Sequence, residues 1–506
     1  MATTLRILRD CPACALALLA VVIHLYASGG YGYFRDELYF IVCGEHPDWG
    51  YVDQPPLIPL VAAAMHRWFA PSLVMLRLVP ALAHGATIVL TGETARLLGG
   101  GRWSQAVAGL AVLCAPVYLA TGTILSTDAL QPLAWLFCGY ALIRILRDGD
   151  ERWWPALGIA VGVALLTKYM IGFWLVALAV GLLVTQPARV VARPGPYVAA
   201  AIAALIVLPN VWWQAAHGWP FLEIGRVGAT EKNVALPPVE FLRAEIRELN
   251  GAAGPLWLAG LVAFAGWRVF AGLRGFAIGF VLLLAAMVVL HAKPYYPSGA
   301  YPLLFAGGAV ALEAWIASHL ARAVYTVAIA ANGLLVAPFV LPILPVEQFL
   351  AYQEWLGATP RADEHDRLGR LPQYYADMFG WPELAALVER AYRSLPAEEQ
   401  SRAVFLGDNY GEAAAVDVFG AARHLPAAIS GNNQYFLWGP RGHDGSVVIR
   451  LGRTRDDLLK AYTSVEPAGV FDDPWAMPGE TGRTLWICRG RKVKLDLAWP
   501  GFRRYR

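Results

Sequence analysis

Apolar residues follow one another for membrane-spanning lengths through the first two thirds of the chain, separated by short arginine-bearing segments. After Pro345 the pattern turns mixed and charge-rich. A transmembrane helix needs about 20 largely apolar residues. Runs that meet or approach that length predict eleven spans, over 11–28, 72–95, 104–124, 129–146, 155–167, 169–185, 196–214, 252–270, 275–291, 297–317 and 323–344. The expected fold class is a multi-pass α-helical membrane domain over residues 1–344, followed by a soluble α/β domain over 345–506.

Orientation follows from the arginines. Alternate loops carry Arg6 and Arg9, Arg96 and Arg102, Arg144, Arg147 and Arg152, Arg189 and Arg193, Arg268 and Arg274, and Arg322. The positive-inside rule makes these loops cytoplasmic. Eleven crossings then put the domain after Pro345 on the extracytoplasmic face of the cell inner membrane. The two shortest spans must turn at Thr167, Lys168 and Tyr169, at or below the outer interface. All three lysines of the membrane domain, Lys168, Lys232 and Lys293, fall on the outer side. Lysines there either snorkel at helix ends or serve a function. Residues 1–29, with Arg6 and Arg9 before the apolar run and Ala27, Ser28 and Gly29 after it, also fit a signal peptide, which leaves the downstream topology unchanged.

Composition sharpens this picture. Of 506 residues, 57% are hydrophobic and 16% charged, which excludes a single water-soluble globule. The net charge of +3 comes without a basic block, so no nucleic-acid partner is expected. Six cysteines are too few for a disulfide scaffold, and the Cys11-Pro12-Ala13-Cys14 spacing, with no strand–helix pattern around it, reads as incidental. Cys43 and Cys488 are the two placed to meet an oxidising compartment.

The first outer loop, from Gly29 to about Pro71, concentrates candidate chemistry. It holds Arg35, Asp36 and Glu37, then Asp53, Gln54, Pro55 and Pro56. It ends in an amphipathic stretch in which Leu57, Val61, Met65 and Trp68 recur at helical spacing, as in a helix lying in the membrane interface. Asp36 and Glu37 also suit the first turn of a short helix, Asp53 a turn before prolines, and Asp128 the N-cap of the fourth span. As a set, these acids share one membrane side with Lys168 and Lys293. Carboxylates facing cations at an interface suit a lipid-linked phosphate and an acceptor hydroxyl.

At these residues the sequence resembles the polyprenyl-phosphate-dependent glycosyltransferases of the GT-C fold, specifically family 39, with the protein O-mannosyltransferases and lipid A aminoarabinose transferases. The resemblance covers about 1–345. It is carried by Arg35-Asp36-Glu37-Leu38-Tyr39, Asp53-Gln54-Pro55-Pro56-Leu57, Thr127-Asp128-Ala129, Thr167-Lys168-Tyr169, and Lys293-Pro294-Tyr295-Tyr296 leading to Tyr301-Pro302. It implies a bacterial hexosyl- or pentosyltransferase that moves a sugar from a polyprenyl phosphate to a lipid, glycan or protein acceptor by inverting displacement. Asp36, with Glu37 beside it, would be the base and Asp128 the second catalytic acid. Arg35, Asp53, Gln54, Lys168, Tyr169, Lys293, Tyr295 and Tyr296 would bind substrate. A divalent metal held by Asp36 and Asp128 is the one candidate cofactor.

The C-terminal segment departs from the mannosyltransferases. Runs at 403–406, 427–430 and 447–450 predict short buried strands, and 382–394 and 411–419 predict helices. The polar stretches after the first two strands, from Gly407 to Glu412 and from Gly431 to Tyr435, are either sugar contacts or plain turns. The rival readings of the whole chain are a multi-pass transporter and a non-catalytic membrane sensor. Acids gathered in outer loops rather than at mid-bilayer, and no repeated halves, count against transport.

Overall fold

The computed structural model describes residues 11–359 and 369–506, without the side chains of Arg189, Val190 and Lys232. Expectations resting on Arg6, Arg9 and those side chains therefore lie outside the described residues. All eleven predicted segments contain helix, from Pro12–Ala27 to His319–Val336. Four helical segments are long and apolar enough to cross a membrane by themselves: Leu73–Leu97, Gly195–Ala216, Arg268–Val289 and His319–Phe339. Two bent pairs raise that to six: Arg102–Leu113 with Pro116–Thr123, at 63°, and Pro238–Glu248 with Gly251–Gly266, at 103°. The first bend falls where Pro116 removes a backbone donor and starts a new helix. The second falls at Asn250, whose side chain accepts from the Ala252 amide and restarts the helix. Further apolar helices, among them Pro12–Ala27, Trp153–Leu165 and Ile171–Thr185, are shorter. The chain is a multi-pass membrane protein.

By its contacts the chain forms two units. Among the described residues, the first comprises 11–30, 74–212 and 234–345. The second comprises 31–73, 213–233, 346–359 and 369–506. The segments 31–73 and 213–233 belong with the part that follows Pro345, so the units do not follow a single cut in the chain. The reason is local bonding: Arg35 N donates to Asp377 O at 3.0 Å, and Tyr31 meets Tyr375 edge to face at 5.0 Å. Within the same unit Trp213 Nε1 donates to Asp48 at 2.7 Å.

In the first unit small residues set the helix spacing. A Cβ at Gly181 would lie 2.2 Å from the Gly275 carbonyl, so helices Ile171–Thr185 and Arg274–Val289 approach backbone to backbone. Cys11 and Cys14 form a disulfide, contrary to their reading as incidental. One turn of helix start brings their Cα atoms to 5.4 Å, within bridging range. Cys43 and Cys488, expected to be available to an oxidising compartment, are instead buried free thiols.

The second unit is built on a five-stranded sheet: β1 (Ala403–Gly407), β2 (Ile429–Ser430), β3 (Val447–Leu451), β4 (Tyr462–Phe471) and β5 (Arg483–Arg491), in the order β2-β1-β3-β5-β4. β1 pairs parallel with β2 and β3, while β5 runs antiparallel to β3 and β4. The three predicted runs become β1 to β3, and the predicted helices become Trp381–Arg393 and Tyr410–Ala421. β4 and β5 escaped the sequence reading. β4 is an edge strand interrupted by Pro467 and a register shift before Gly469, and such a strand lacks the continuous apolar run of a buried one. Val404, Leu406, Ile429, Val448, Val465 and Cys488 make its core.

Candidate functional site

Each unit holds one constellation. In the second unit, helix Arg35–Glu45 starts at the acids of the first motif. Phe34 is extended, and the Glu37 carboxylate accepts its backbone N–H at 2.9 Å, the returning half of a capping box. Glu37 is fully buried by that bond, the placement of a helix-start acid rather than of one open to substrate. Asp36 is different. Its Oδ1 accepts from the Tyr410 hydroxyl at 2.8 Å and lies 3.7 Å from Arg35 Nε, while its side chain stays about one-third exposed. Burial holds the Tyr410 phenol well above its ordinary range, so it remains a donor. No partner holds Asp36 Oδ2 among the described residues, which leaves that oxygen open to a proton. Arg35 sits over the Tyr410 ring and 3.6 Å from the buried Asp377 carboxylate. It therefore braces Asp36 and Tyr410 together.

Asp53 lies in the same unit. It accepts from Tyr39 Oη and from Asn433 Nδ2, each at 2.9 Å. Gln434 continues this network: its amide donates to Tyr39 Oη at 3.0 Å, and its side-chain oxygen accepts from Val52 N at 3.1 Å. Gln54 is buried beside it. The polar stretches after β1 and β2 thus bond the acids of the first loop: Tyr410 takes Asp36, and Asn433 takes Asp53.

Burial pushes Asp53 up to about 6, against hydrogen bonds from Tyr39 and Asn433, and pushes Asp377 up to about 6 against the pull of Arg35. Both values lie above those of an unfolded chain, near 4. Folding therefore retains protons between about pH 4 and pH 6, and this contribution to stability is full below that window and lost as pH rises through it. We expect thermal unfolding of the detergent-solubilised protein to show a weaker pH dependence in Asp53→Asn than in wild type across that window. Identical slopes would contradict the raised value.

In the first unit, Asp128 precedes helix Gln131–Asp148 but does not cap it. Both its oxygens accept from Lys168 Nζ, at 2.8 and 2.7 Å. The lysine stands in the turn between helices Trp153–Leu165 and Ile171–Thr185, where the sequence put it. Gln131 brings it to Asp128, because its amide donates to Thr167 Oγ1 and to Ala164 O in that turn. Lys168 Nζ also lies 4.7 Å from the Tyr296 ring centre and 5.7 Å from that of Tyr295, and Lys293 Nζ lies 6.0 Å from the Tyr295 ring. Tyr169 turns away to donate to Asn210 at 2.6 Å. The result is a partly exposed ammonium held by one carboxylate and two aromatic faces.

The expected metal does not fit these surroundings. Asp128 is matched by an ammonium and Asp36 by a guanidinium and a phenol. Among the described residues no three His, Cys, Asp or Glu side chains gather as metal ligands. Sequence reasoning quoted Tyr39 in the first motif without giving it a role, passed over Asp377, and took in Tyr410 and Asn433 within two polar stretches without linking them to the acids.

Comparison with known proteins adds the family context. Residues 53–213 match the family model described as dolichyl-phosphate-mannose-protein mannosyltransferase. The chain is 27% identical over 186 residues to the lipid A galacturonosyltransferase RgtD of Rhizobium johnstonii, a match covering 37% of this chain and 39% of that protein. It thus spans about two fifths of the length of that relative. Among solved structures it is similar to ArnT from Cupriavidus metallidurans bound to undecaprenyl phosphate, with TM-score 0.60 and 15% identity over 94% of this chain and 97% of that one. The mycobacterial arabinofuranosyltransferase AftD matches with TM-score 0.53 and 15% identity over 95% of this chain and 40% of that chain. At these identities the structural likeness establishes the fold. Together these matches support the resemblance to GT-C glycosyltransferases of the family 39 kind.

Proposed function

We propose that this GT-C-like chain is an inverting glycosyltransferase, which takes a sugar from a polyprenyl phosphate at the outer face of the inner membrane and delivers it to a hydroxyl or phosphate of a lipid, glycan or protein. The observation that carries the reading is Lys168, fixed by Asp128 and by Tyr295 and Tyr296 on a GT-C scaffold. A lipid-linked donor leaves as a phosphate, and a preorganised ammonium favours that departure by stabilising the charge as it develops.

In the second unit, Asp36 has the features of a general base, one oxygen held by Tyr410 and the other open among the described residues. Its free oxygen takes the acceptor proton as the acceptor oxygen bonds the anomeric carbon, and the bond from that carbon to the polyprenyl phosphate oxygen breaks with its electron pair. Tyr410 and Arg35 orient the carboxylate. Asp128 acts through Lys168, as a positioning residue. A lipid acceptor is the preferred one, because the relative RgtD is a lipid A galacturonosyltransferase.

Cells lacking the protein should accumulate a polyprenyl-phosphate sugar and lose one sugar from an envelope lipid or glycan, as read by mass spectrometry of extracted lipids and glycans. Wild-type protein should reverse both changes and Asp36→Asn neither. An unchanged lipid-linked sugar pool with an unchanged envelope would overturn the proposal.

A further inference from the structure

In the second unit the carboxyl ends of the parallel strands enclose a pocket of about 230 Å³ that the proposed reaction does not use. β1 lies between β2 and β3, so the chain moves to one side of β1 and then returns to the other. Such a reversal leaves a crevice beyond the strand ends, where α/β sheets bind ligands. Three arginines line it. Arg450 comes from β3, Arg453 from the turn after it, and Arg504 from the segment whose backbone pairs with Gly431 and Asn432 beyond β2.

Their charge is poorly balanced. Asp408 is the one acid in the lining, and it accepts from Arg450 at 2.6 Å with Arg453 Nε at 4.0 Å. Asp408 is also bound by Arg483 at 2.8 Å, whose remaining charge is met by Glu412 and Glu480. Arg504 has no ion-pair partner among the described residues. Arg450 is more than nine-tenths buried, and its Nε is without a hydrogen-bond partner. Buried guanidinium N–H groups left unbonded are costly, and their fork geometry matches phosphate or carboxylate oxygens.

The floor is bare backbone. A Cβ at Gly431 would fall 2.1 Å from the Phe502 carbonyl, so glycine is required for the approach that shapes it. Phe502 supplies an apolar wall. The volume is below the about 300–1,000 Å³ of pockets for drug-sized ligands, which suits one sugar ring.

We propose that this pocket is a binding site for a monosaccharide-sized oxyanion, a sugar bearing a phosphate or a carboxylate, held by Arg450, Arg453 and Arg504. The inference stands apart from the transfer reaction and from Lys168. To keep the two separate, binding is measured by calorimetry on the full chain carrying Lys168→Met, with inorganic phosphate, a hexose phosphate, a hexuronate and a neutral hexose as probes. At least one anionic sugar should bind saturably and more tightly than inorganic phosphate, and the neutral hexose should not bind. Which anionic sugar binds more tightly decides between phosphate and carboxylate. The double variant Arg453→Gln, Arg504→Gln, whose side chains are exposed and leave the Asp408 bond to Arg450 in place, should lose at least about tenfold in affinity. Equal affinity in that variant, equal binding of the neutral hexose, or no saturable binding of either anionic sugar would overturn the site.

Discussion

Asp36→Asn is expected to leave the fold intact and to lower sugar transfer by at least about 100-fold, the scale of losing a general base. The change is nearly isosteric, and its amide oxygen still accepts from the Tyr410 hydroxyl that Asp36 binds at 2.8 Å. What disappears is the oxygen free to take a proton. The loss should therefore fall on kcat with little change in donor KM, and it should persist at every pH where wild type works. Tyr410→Phe should cost less, because it removes orientation and leaves the carboxylate. Near-normal transfer by Asp36→Asn would remove Asp36 from the mechanism. Glu37 would be a poor replacement, since its carboxylate is buried against the Phe34 amide.

Lys168→Met is expected to weaken use of the phosphate-linked donor by about 1.5–3 kcal/mol, the scale of one charge-assisted hydrogen bond. Methionine keeps the length of the stem and its packing on Tyr295 and Tyr296 while removing the charge. The geometry adds a second expectation. Because both Asp128 oxygens are given to Lys168, the two residues act as a unit, and the effects of Asp128→Asn and Lys168→Met should not add. Single and double variants compared by kcat/KM for the lipid-linked donor measure that coupling. Lys293→Met should cost less, because its ammonium stands 6.0 Å from the Tyr295 ring while Lys168 lies 4.7 Å from that of Tyr296 and binds both Asp128 oxygens. Wild-type donor use by Lys168→Met would return the lysine to a snorkelling role.

Much of this was legible in the sequence, and the reasons are physical. An apolar run can satisfy its backbone away from water as helix, so the helix in each of the eleven segments was legible from hydrophobicity. Among the described residues, four helices, or six with the bent pairs, have the length and composition of a span. The turn at Lys168 followed from arginine parity, and the buried strands from short apolar runs. Pairings between distant segments were not legible. Nothing in Gly407-Asp408-Asn409-Tyr410 announces that its tyrosine meets Asp36, because that bond spans 374 positions. Asp128 showed the limit of local rules. Its sequence fits an N-cap, but an ammonium from the turn at Lys168 competes for the carboxylate and takes it. Asp377 left no signal at all, since a lone acid in a charge-rich segment looks solvated until Arg35 is found beside it.

The central claim is that the sugar comes from a polyprenyl phosphate and is transferred, not merely carried. The most direct measurement uses purified protein in liposomes with a doubly labelled polyprenyl-phosphate sugar and an envelope lipid extract as acceptor. Free polyprenyl phosphate should appear in step with label in an acceptor product, for wild type and not for Asp36→Asn, and a nucleotide sugar should give no product. Label that crosses the bilayer still joined to its carrier, or product formed from the nucleotide sugar alone, would contradict the account.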